Sequence, residues 1–337
     1  MAELRRDPVV GRWVIVNIED SQTPESFEKE DHAPHQEATC QFCYGREHQT
    51  PPEIEVVRPS HSAPNSAGWT VRVIANKFPA LRIEGEIDRR GIGIFDTSNG
   101  IGAHEVLIET PIHNKSLSEL SNQEMLEVVR KYRSRSLGLA QDKRFRYVLI
   151  FKNFGDSAGA SIEHHHSQII ALPMVPKYVL EELEGAQYYY GYRGRCIFCD
   201  TITQEYKDKE RIVTENKDFI VFCPYAPRYA FESWIIPKRH SAHFTDMSDE
   251  EQYNLACILK EILSRLKLCL ADPSYNFYLH TAPVQYGKQE SYHWHIEVIP
   301  KLTRVAGFEW GTGFYVVPTA PHMAAKHLRE INFSTKG

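Results

Sequence analysis

Two patterns in the sequence could do chemistry. The first is a pair of C-x-x-C motifs, Cys40-Gln-Phe-Cys43 and Cys196-Ile-Phe-Cys199, which use four of the seven cysteines; Cys223, Cys257 and Cys269 are scattered. In a reducing compartment such a pair either shuttles electrons or binds a metal. A redox pair usually opens a helix after a strand. These two read instead as knuckles, tight turns in which two thiolates converge on one tetrahedral zinc ion. Each knuckle then needs two more ligands. The second pattern is the run His164-His165-His166, preceded by Asn153-Phe-Gly-Asp-Ser-Ala-Gly-Ala-Ser161. Gly155 and Gly159 permit tight turns, and successive backbone N–H groups with Ser157 and Ser161 can cradle phosphate oxygens.

Those side chains need elements to hold them, and the chain supplies the elements twice. Glu105–His113 matches Glu232–His240, each strand-like and each ending in His. Eight residues on, Ser121-Asn-Gln-Glu124 and Ser248-Asp-Glu-Glu251 are capping boxes. The helices that follow carry Met125, Val128, Val129 and Tyr132 in one copy and Leu255, Ile258, Leu259 and Ile262 in the other, at helical spacing. A strand comes next (Arg146–Asn153; Asn276–Pro283), then a strand with H-x-H (His164–Pro173; His293–Pro300). This order predicts an α+β fold of two tandem halves, each an antiparallel sheet with one long helix and a knuckle. The halves are expected over 1–185 and 186–337, with Lys177–Gly194 as linker and residues 20–39 as loop.

The repeat completes both ligand sets: Cys40, Cys43, His113 and His164, and Cys196, Cys199, His240 and His293. Either His113 or His240 alone would read as a surface residue near a turn. Two at matching positions, each with its own knuckle, read as ligands. Alternate strand residues share a face, so His166 lies beside His164 while His165 points away. With the first site filled by four other groups, His166 is left as a neutral imidazole nucleophile. Gln168 shares its face and could steady the attacked phosphate. A phosphate loop leading into such a histidine implies nucleotidyl transfer through a phosphohistidine-type intermediate.

Composition sets the outer limits. The 337 residues suit two domains of roughly 150–180 residues each. Apolar residues make up 42% and charged residues 25%, globular values that exclude a disordered chain. A net charge of −5 and a pI near 6.4 argue against a nucleic-acid surface. No apolar run approaches the ~20 residues that span a bilayer, and the start lacks the apolar stretch of a secretory signal. A soluble, cytoplasmic protein is expected.

These residues resemble the galactose-1-phosphate uridylyltransferase family, within the histidine-triad superfamily, from Leu4-Arg-Arg-Asp-Pro to Gly307-Phe-Glu-Trp-Gly-Thr-Gly313. The resemblance implies that His166 takes the nucleoside monophosphate, with nucleotide contacts at Asn76, Phe78, Pro79, Asn153, Ser161 and Gln168 and a hexose contact at Glu309. It implies a homodimer with active sites at the subunit interface. It implies transfer between UDP-glucose and galactose 1-phosphate. The chain also departs from that pattern. The family core His-Pro-His-Gly-Gln reads His164-His-His-Ser-Gln168 here, and the family's Arg-Pro element reads Gln22-Thr23-Pro24. The context Ser157–Ser161 and Phe231–Phe244 is closer to the ADP-glucose phosphorylase branch, which would make adenine the base and inorganic phosphate the acceptor. Hydrolysis of a nucleotide and a non-enzymatic zinc module are the further alternatives. Family members without the second C-x-x-C bind iron through one Glu and three His, a set that Glu182, His280, His293 and His295 could supply. The presence of Cys196 and Cys199 favours zinc at both sites.

Overall fold

The computed structural model describes residues 1–30, 32 and 37–332. Strands β1 (Ala2–Arg6) and β2 (Trp13–Asn17) form a hairpin. The first half continues with β3 (Glu53–Val57), β4 (Val71–Ala75), the exposed hairpin β5 (Arg90–Ile92) and β6 (Phe95–Thr97), then β7 (Ala103–Ile108), β8 (Tyr147–Phe154) and β9 (His166–Leu172). The second half supplies β10 (Ile212–Glu215), β11 (Phe219–Phe222), β12 (Ser233–Pro237), β13 (Tyr275–His280) and β14 (His295–Pro300). A last strand, β15 (Tyr315–Val317), pairs parallel with β2.

The repeat seen in the sequence reappears as a symmetric sheet. Ten strands run β10-β11-β12-β14-β13-β8-β9-β7-β4-β3, every neighbour antiparallel. Outward from the central β8–β13 ladder, β9, β7, β4 and β3 on one side answer to β14, β12, β11 and β10 on the other. The seam itself pairs Asn153 with Asn276 and Phe151 with Tyr278.

One face of the sheet is covered by α1 (Asn122–Leu139) and α4 (Asp249–Leu270), which pack on each other. Each starts at its expected box: the Glu124 N–H donates to Ser121 Oγ at 3.2 Å and the Ser121 N–H to Glu124 Oε2 at 2.7 Å, with the same distances at Glu251 and Ser248. All eight apolar positions read from the periodicity are buried. The opposite face is covered differently in each half. In the first half Phe42 and Trp69 pack on Ile74, Val106 and Ile108. In the second, α2 (Lys177–Arg193) and α3 (Ile197–Asp208) lie over Ile220, Phe222, Trp234 and Ile236.

Two expectations need amendment. The segment 177–194 is no loose linker. It folds as α2, buries Ala186 and Glu182, and ends on Gly194 in the left-handed conformation (φ 68°). The second knuckle is no free turn either, since Cys196 is the N-cap of α3. Of the stretch 20–39, Pro24–Ser26 and Glu37–Thr39 are short 3-10 turns, and residues 31 and 33–36 lie outside the described residues. Among the described residues no helix is long and apolar enough to cross a membrane.

Candidate active site

The loops at the ends of β7 and β12 and the residues just before β9 and β14 bring each expected ligand set together. Cys40, Cys43, His113 and His164 form one cluster, and Cys196, Cys199, His240 and His293 the other. In the first, His164 Nδ1 lies 3.5 Å from both Cys40 Sγ and Cys43 Sγ, and His113 Nδ1 lies 3.4 Å from Cys43 Sγ. In the second, His240 and His293 present Nδ1 to Cys199 Sγ at 3.4 and 3.7 Å. A tetrahedral zinc with bonds of about 2.3 Å to sulfur and 2.0–2.1 Å to nitrogen separates S from N by about 3.6 Å. Both clusters therefore fit such an ion. The outer nitrogens of one histidine in each cluster are braced as ligand imidazoles require: His164 Nε2 donates to the Thr110 carbonyl at 2.7 Å and His240 Nε2 to the Gln289 carbonyl at 3.1 Å.

His166 stands outside the first cluster. As the first residue of β9 it donates from Nδ1 to the His164 carbonyl at 2.8 Å, which fixes the tautomer and leaves Nε2 as the bare nitrogen. Burial first, then the nearby Lys152 ammonium, push its pKa down to about 4, so the ring is neutral near pH 7. His165 points away and stacks on Phe154 with centroids 5.1 Å apart.

The second half repeats this motif and then closes it. His295 Nδ1 donates to the His293 carbonyl at 3.2 Å, as His166 does to His164. Yet His295 is sandwiched between Trp234 and His280, with centroids 5.0 and 4.8 Å away, and its Nε2 is buried without a hydrogen bond. His166 Nε2 is not enclosed in that way. Of two H-x-H motifs, one offers a reachable nitrogen.

Around His295 the structure corrects the alternative Glu-and-three-His set. Glu182, His280 and His295 do converge, but with Glu297, while His293 belongs to the cysteine cluster. The four buried groups are also charge-compensated within the chain. Glu182 accepts from Tyr292 at 2.8 Å and pairs with His280 at 3.1 Å, and Arg228 pairs with Glu297. Burial would lower the pKa of His280, but Glu182 and Glu297 outweigh it and push it up to about 9. Glu297 was missed although the repeat marks it: it stands two places after His295, as Gln168 does after His166.

A second network invisible to motif reading lies behind His166. Lys152 Nζ donates to Glu109 Oε2 at 2.7 Å and to the His166 carbonyl at 3.1 Å. Ser167 Oγ donates to the other Glu109 oxygen, and the Tyr132 hydroxyl lies 2.6 Å from Ser167 Oγ. Lys152 and Glu109 are each only 1% exposed, so every charge here depends on its partner. Replacing Lys152 with Met should destabilise the protein by about 3–5 kcal/mol by stranding the Glu109 carboxylate. Adding Glu109→Gln should recover much of that loss; chemical denaturation of the single and double variants checks both statements.

The other expected contacts fall into two groups. Phe151, Asn153, Gln168 and His166 share the sheet face opposite α1, and Asn153 Oδ1 accepts from Asn276 Nδ2 at 2.8 Å. The loop after β8 is a 3-10 turn, Asp156–Ala158, between Gly155 (φ 79°) and Gly159 (φ 80°), and it leaves Ser161 exposed. A Cβ on Gly155 would lie 1.8 Å from Ser274 Oγ, so only glycine fits there. Asn76, Phe78 and Pro79 follow β4, with Phe78 82% exposed and without a partner ring among the described residues. Glu309 stays apart. Its helix, Gly307–Thr312, packs against β15, its carboxylate accepts the Ala306 N–H at 3.0 Å, and no hydrogen bond or ion pair joins it to His166 among the described residues.

Residues 1–176 match the family model described as the galactose-1-phosphate uridyl transferase N-terminal domain, and residues 176–327 match that of the C-terminal domain. The chain is 38% identical to ADP-glucose phosphorylase of Arabidopsis thaliana, over 98% of this chain and 93% of the relative. A crystal structure of an ADP-glucose phosphorylase from the same plant, with bound ADP-glucose, superposes with a TM-score of 0.83 at 35% identity, covering 99% of this chain and 100% of that one. Galactose-1-phosphate uridylyltransferase of Thermotoga maritima is 28% identical over 98% of both chains. With its cysteine–histidine clusters, its single open H-x-H and both halves matched, the chain belongs to the galactose-1-phosphate uridyl transferase family.

Proposed function

We propose that the protein is a nucleotidyltransferase that works by a ping-pong route through a nucleotidyl-His166 intermediate. One observation carries this reading: His164 is held in the cysteine cluster while His166, two residues on, is locked in a single tautomer with Nε2 free. Nε2 attacks the α-phosphorus of a nucleotide sugar in line. The P–O bond to the sugar phosphate breaks, and the sugar 1-phosphate departs with that electron pair. An acceptor phosphate oxygen then attacks the same phosphorus, and the P–N bond breaks to return the neutral imidazole. Throughout, the Nδ1–H bond to the His164 carbonyl supports the charge that builds on the ring. Gln168 and the N–H groups of the 155–161 loop meet the developing phosphoryl charge, with Asn153 and Ser161 as further contacts.

Zinc is the metal we assign to both Cys2His2 sets, since thiolates with two imidazoles suit it better than iron. Held by four protein ligands, it would brace the sites rather than bind substrate. Asn76, Phe78 and Pro79 would form the nucleoside edge. Glu309, which has no hydrogen bond or ion pair to His166 among the described residues, would reach the hexose from a second copy, making the working unit a homodimer. The four knuckle thiols imply a reducing compartment, in keeping with the cytoplasm. The halves would divide within α2, near residue 185.

Two substrate pairs fit this chemistry: UDP-glucose with galactose 1-phosphate, and ADP-glucose with inorganic phosphate. The 38% identity to ADP-glucose phosphorylase, against 28% to the T. maritima uridylyltransferase, supports the adenine pair. Intact mass spectrometry after incubation with each nucleotide sugar tests both levels of the proposal. An AMP increment is expected with ADP-glucose; a UMP increment alone would restore the uridylyl reading. No covalent increment with either sugar would overturn the mechanism.

A further inference from the structure

His104 has no part in the roles assigned above, yet it stands between two of them. It lies on β7, where Val106 pairs with Gln168 and His104 pairs with Ile170, so its ring and the Gln168 side chain are diagonal neighbours on the face that carries His166. The ring touches both ends of the substrate site. Nε2 is 2.7 Å from Gln168 Oε1, and Nδ1 is 3.2 Å from the Ala80 nitrogen. The His104 carbonyl also accepts the Asn76 N–H at 2.8 Å. One residue thus anchors the 76–80 loop at two points and meets the amide that faces the phosphate.

The proton positions follow from chemistry. A backbone N–H can only donate, so Nδ1 must be the bare nitrogen. A neutral imidazole then carries its hydrogen on Nε2, and that hydrogen goes to Gln168 Oε1. Burial holds the pKa of His104 below its ordinary value, in keeping with this neutral form. Two consequences result. With Gln168 Oε1 occupied, its NH2 is the end left to face an anion. Asn76 Nδ2 lies 3.0 Å from His104 Nε2 and 3.5 Å from the bare Nδ1, and its Oδ1 accepts the Phe78 N–H at 2.9 Å, so the Asn76 amide is drawn into the same cluster.

We propose that His104 is a positioning residue that fixes the Gln168 amide with its NH2 toward the transferred phosphate and ties that orientation to the nucleoside loop 76–80. The proposal rests on the nucleotidyl-His166 reading. Without the His104 N–H, the Gln168 amide is free to turn its oxygen toward the phosphate, which repels it.

The test measures the rate of nucleotidyl-His166 formation by rapid quench and mass spectrometry, using whichever of ADP-glucose and UDP-glucose labels the wild-type protein. His104→Phe keeps the ring volume but has no N–H. It should slow adduct formation by about 10–100-fold, the scale of a misplaced phosphate donor, and weaken nucleotide-sugar binding less than the rate. His104→Gln, which restores a donor, should recover most of the rate. In a Gln168→Ala background, His104→Phe should add little further loss. If the losses in the double variant simply multiply, or if His104→Phe labels at the wild-type rate, the positioning role is overturned. If His104→Phe loses metal or stability, His104→Gln and its double variant with Gln168→Ala decide by the same criterion. Failure of the wild-type protein to label at all would instead overturn the underlying mechanism.

Discussion

Replacing His166 by alanine should abolish the covalent adduct and lower turnover by about 10⁴-fold or more, the scale of removing a nucleophile from a site whose other parts remain. Metal content should stay at the wild-type value, because His166 lies outside the first cluster and, among the described residues, its ring hydrogen-bonds to a backbone carbonyl and to no ligand side chain. That split between chemistry and metal is what gives the experiment its force. A His166→Ala protein that labels normally would move the nucleophile elsewhere. One that loses a metal would mean that His166 is a ligand and that the division of labour between neighbouring imidazoles is wrong. The equivalent change in the second half, His295→Ala, removes a ring packed between Trp234 and His280 and should weaken the fold without affecting chemistry.

The two knuckles should respond differently to loss of a thiolate. Cys43→Ser and Cys199→Ser should each cut the metal stoichiometry by one. Structural zinc contributes about 10–16 kcal/mol of apparent binding free energy in small domains, comparable with a domain's whole stability of about 5–15 kcal/mol. Each variant should therefore melt at least about 10 °C lower. Only Cys43→Ser should also abolish labelling below the melting transition. Its ion would orient His164, and the His164 carbonyl sets the His166 tautomer. Cys199 lies beside the closed histidine, so the Cys199→Ser protein should still form the adduct in the cold. Equal loss of labelling in both variants would show that the second site supports chemistry directly. The measurements are metal analysis, thermal melts and adduct mass on the same preparations.

The features that could be read in advance are those the chain states twice. Each capping box, each apolar helix stripe and each Cys2His2 set had an independent copy at a matching interval, so a coincidence in one half was checked by the other. What could not be read lacks such a partner or depends on pairing across strands. Lys152 sits in β8 and Glu109 just past the end of β7, in stretches that read as apolar, and nothing local says that the two charges meet behind His166. Lys177–Gly194 is rich in Tyr and Glu, with no sharp apolar stripe, because α2 buries Val179, Glu182 and Ala186, a face with a charge at its centre. Glu297 had a legible signal in the repeat register, but the family's three-histidine set drew attention to His293 instead. His104 carries no motif at all; its role depends on the diagonal to Gln168, which only strand register supplies.

The ladder between β8 and β13 has a further consequence. A sheet half that ends on an unpaired strand offers its bare N–H and C=O groups to any similar edge. Here the two most interior edges satisfy each other within one polypeptide, so the joining of halves is independent of concentration. One half can then close off its H-x-H, with His295 packed between Trp234 and His280, and brace the other. A monomer folded in this way is a lopsided pair, and its outermost strands are β3 and β10, far from the join.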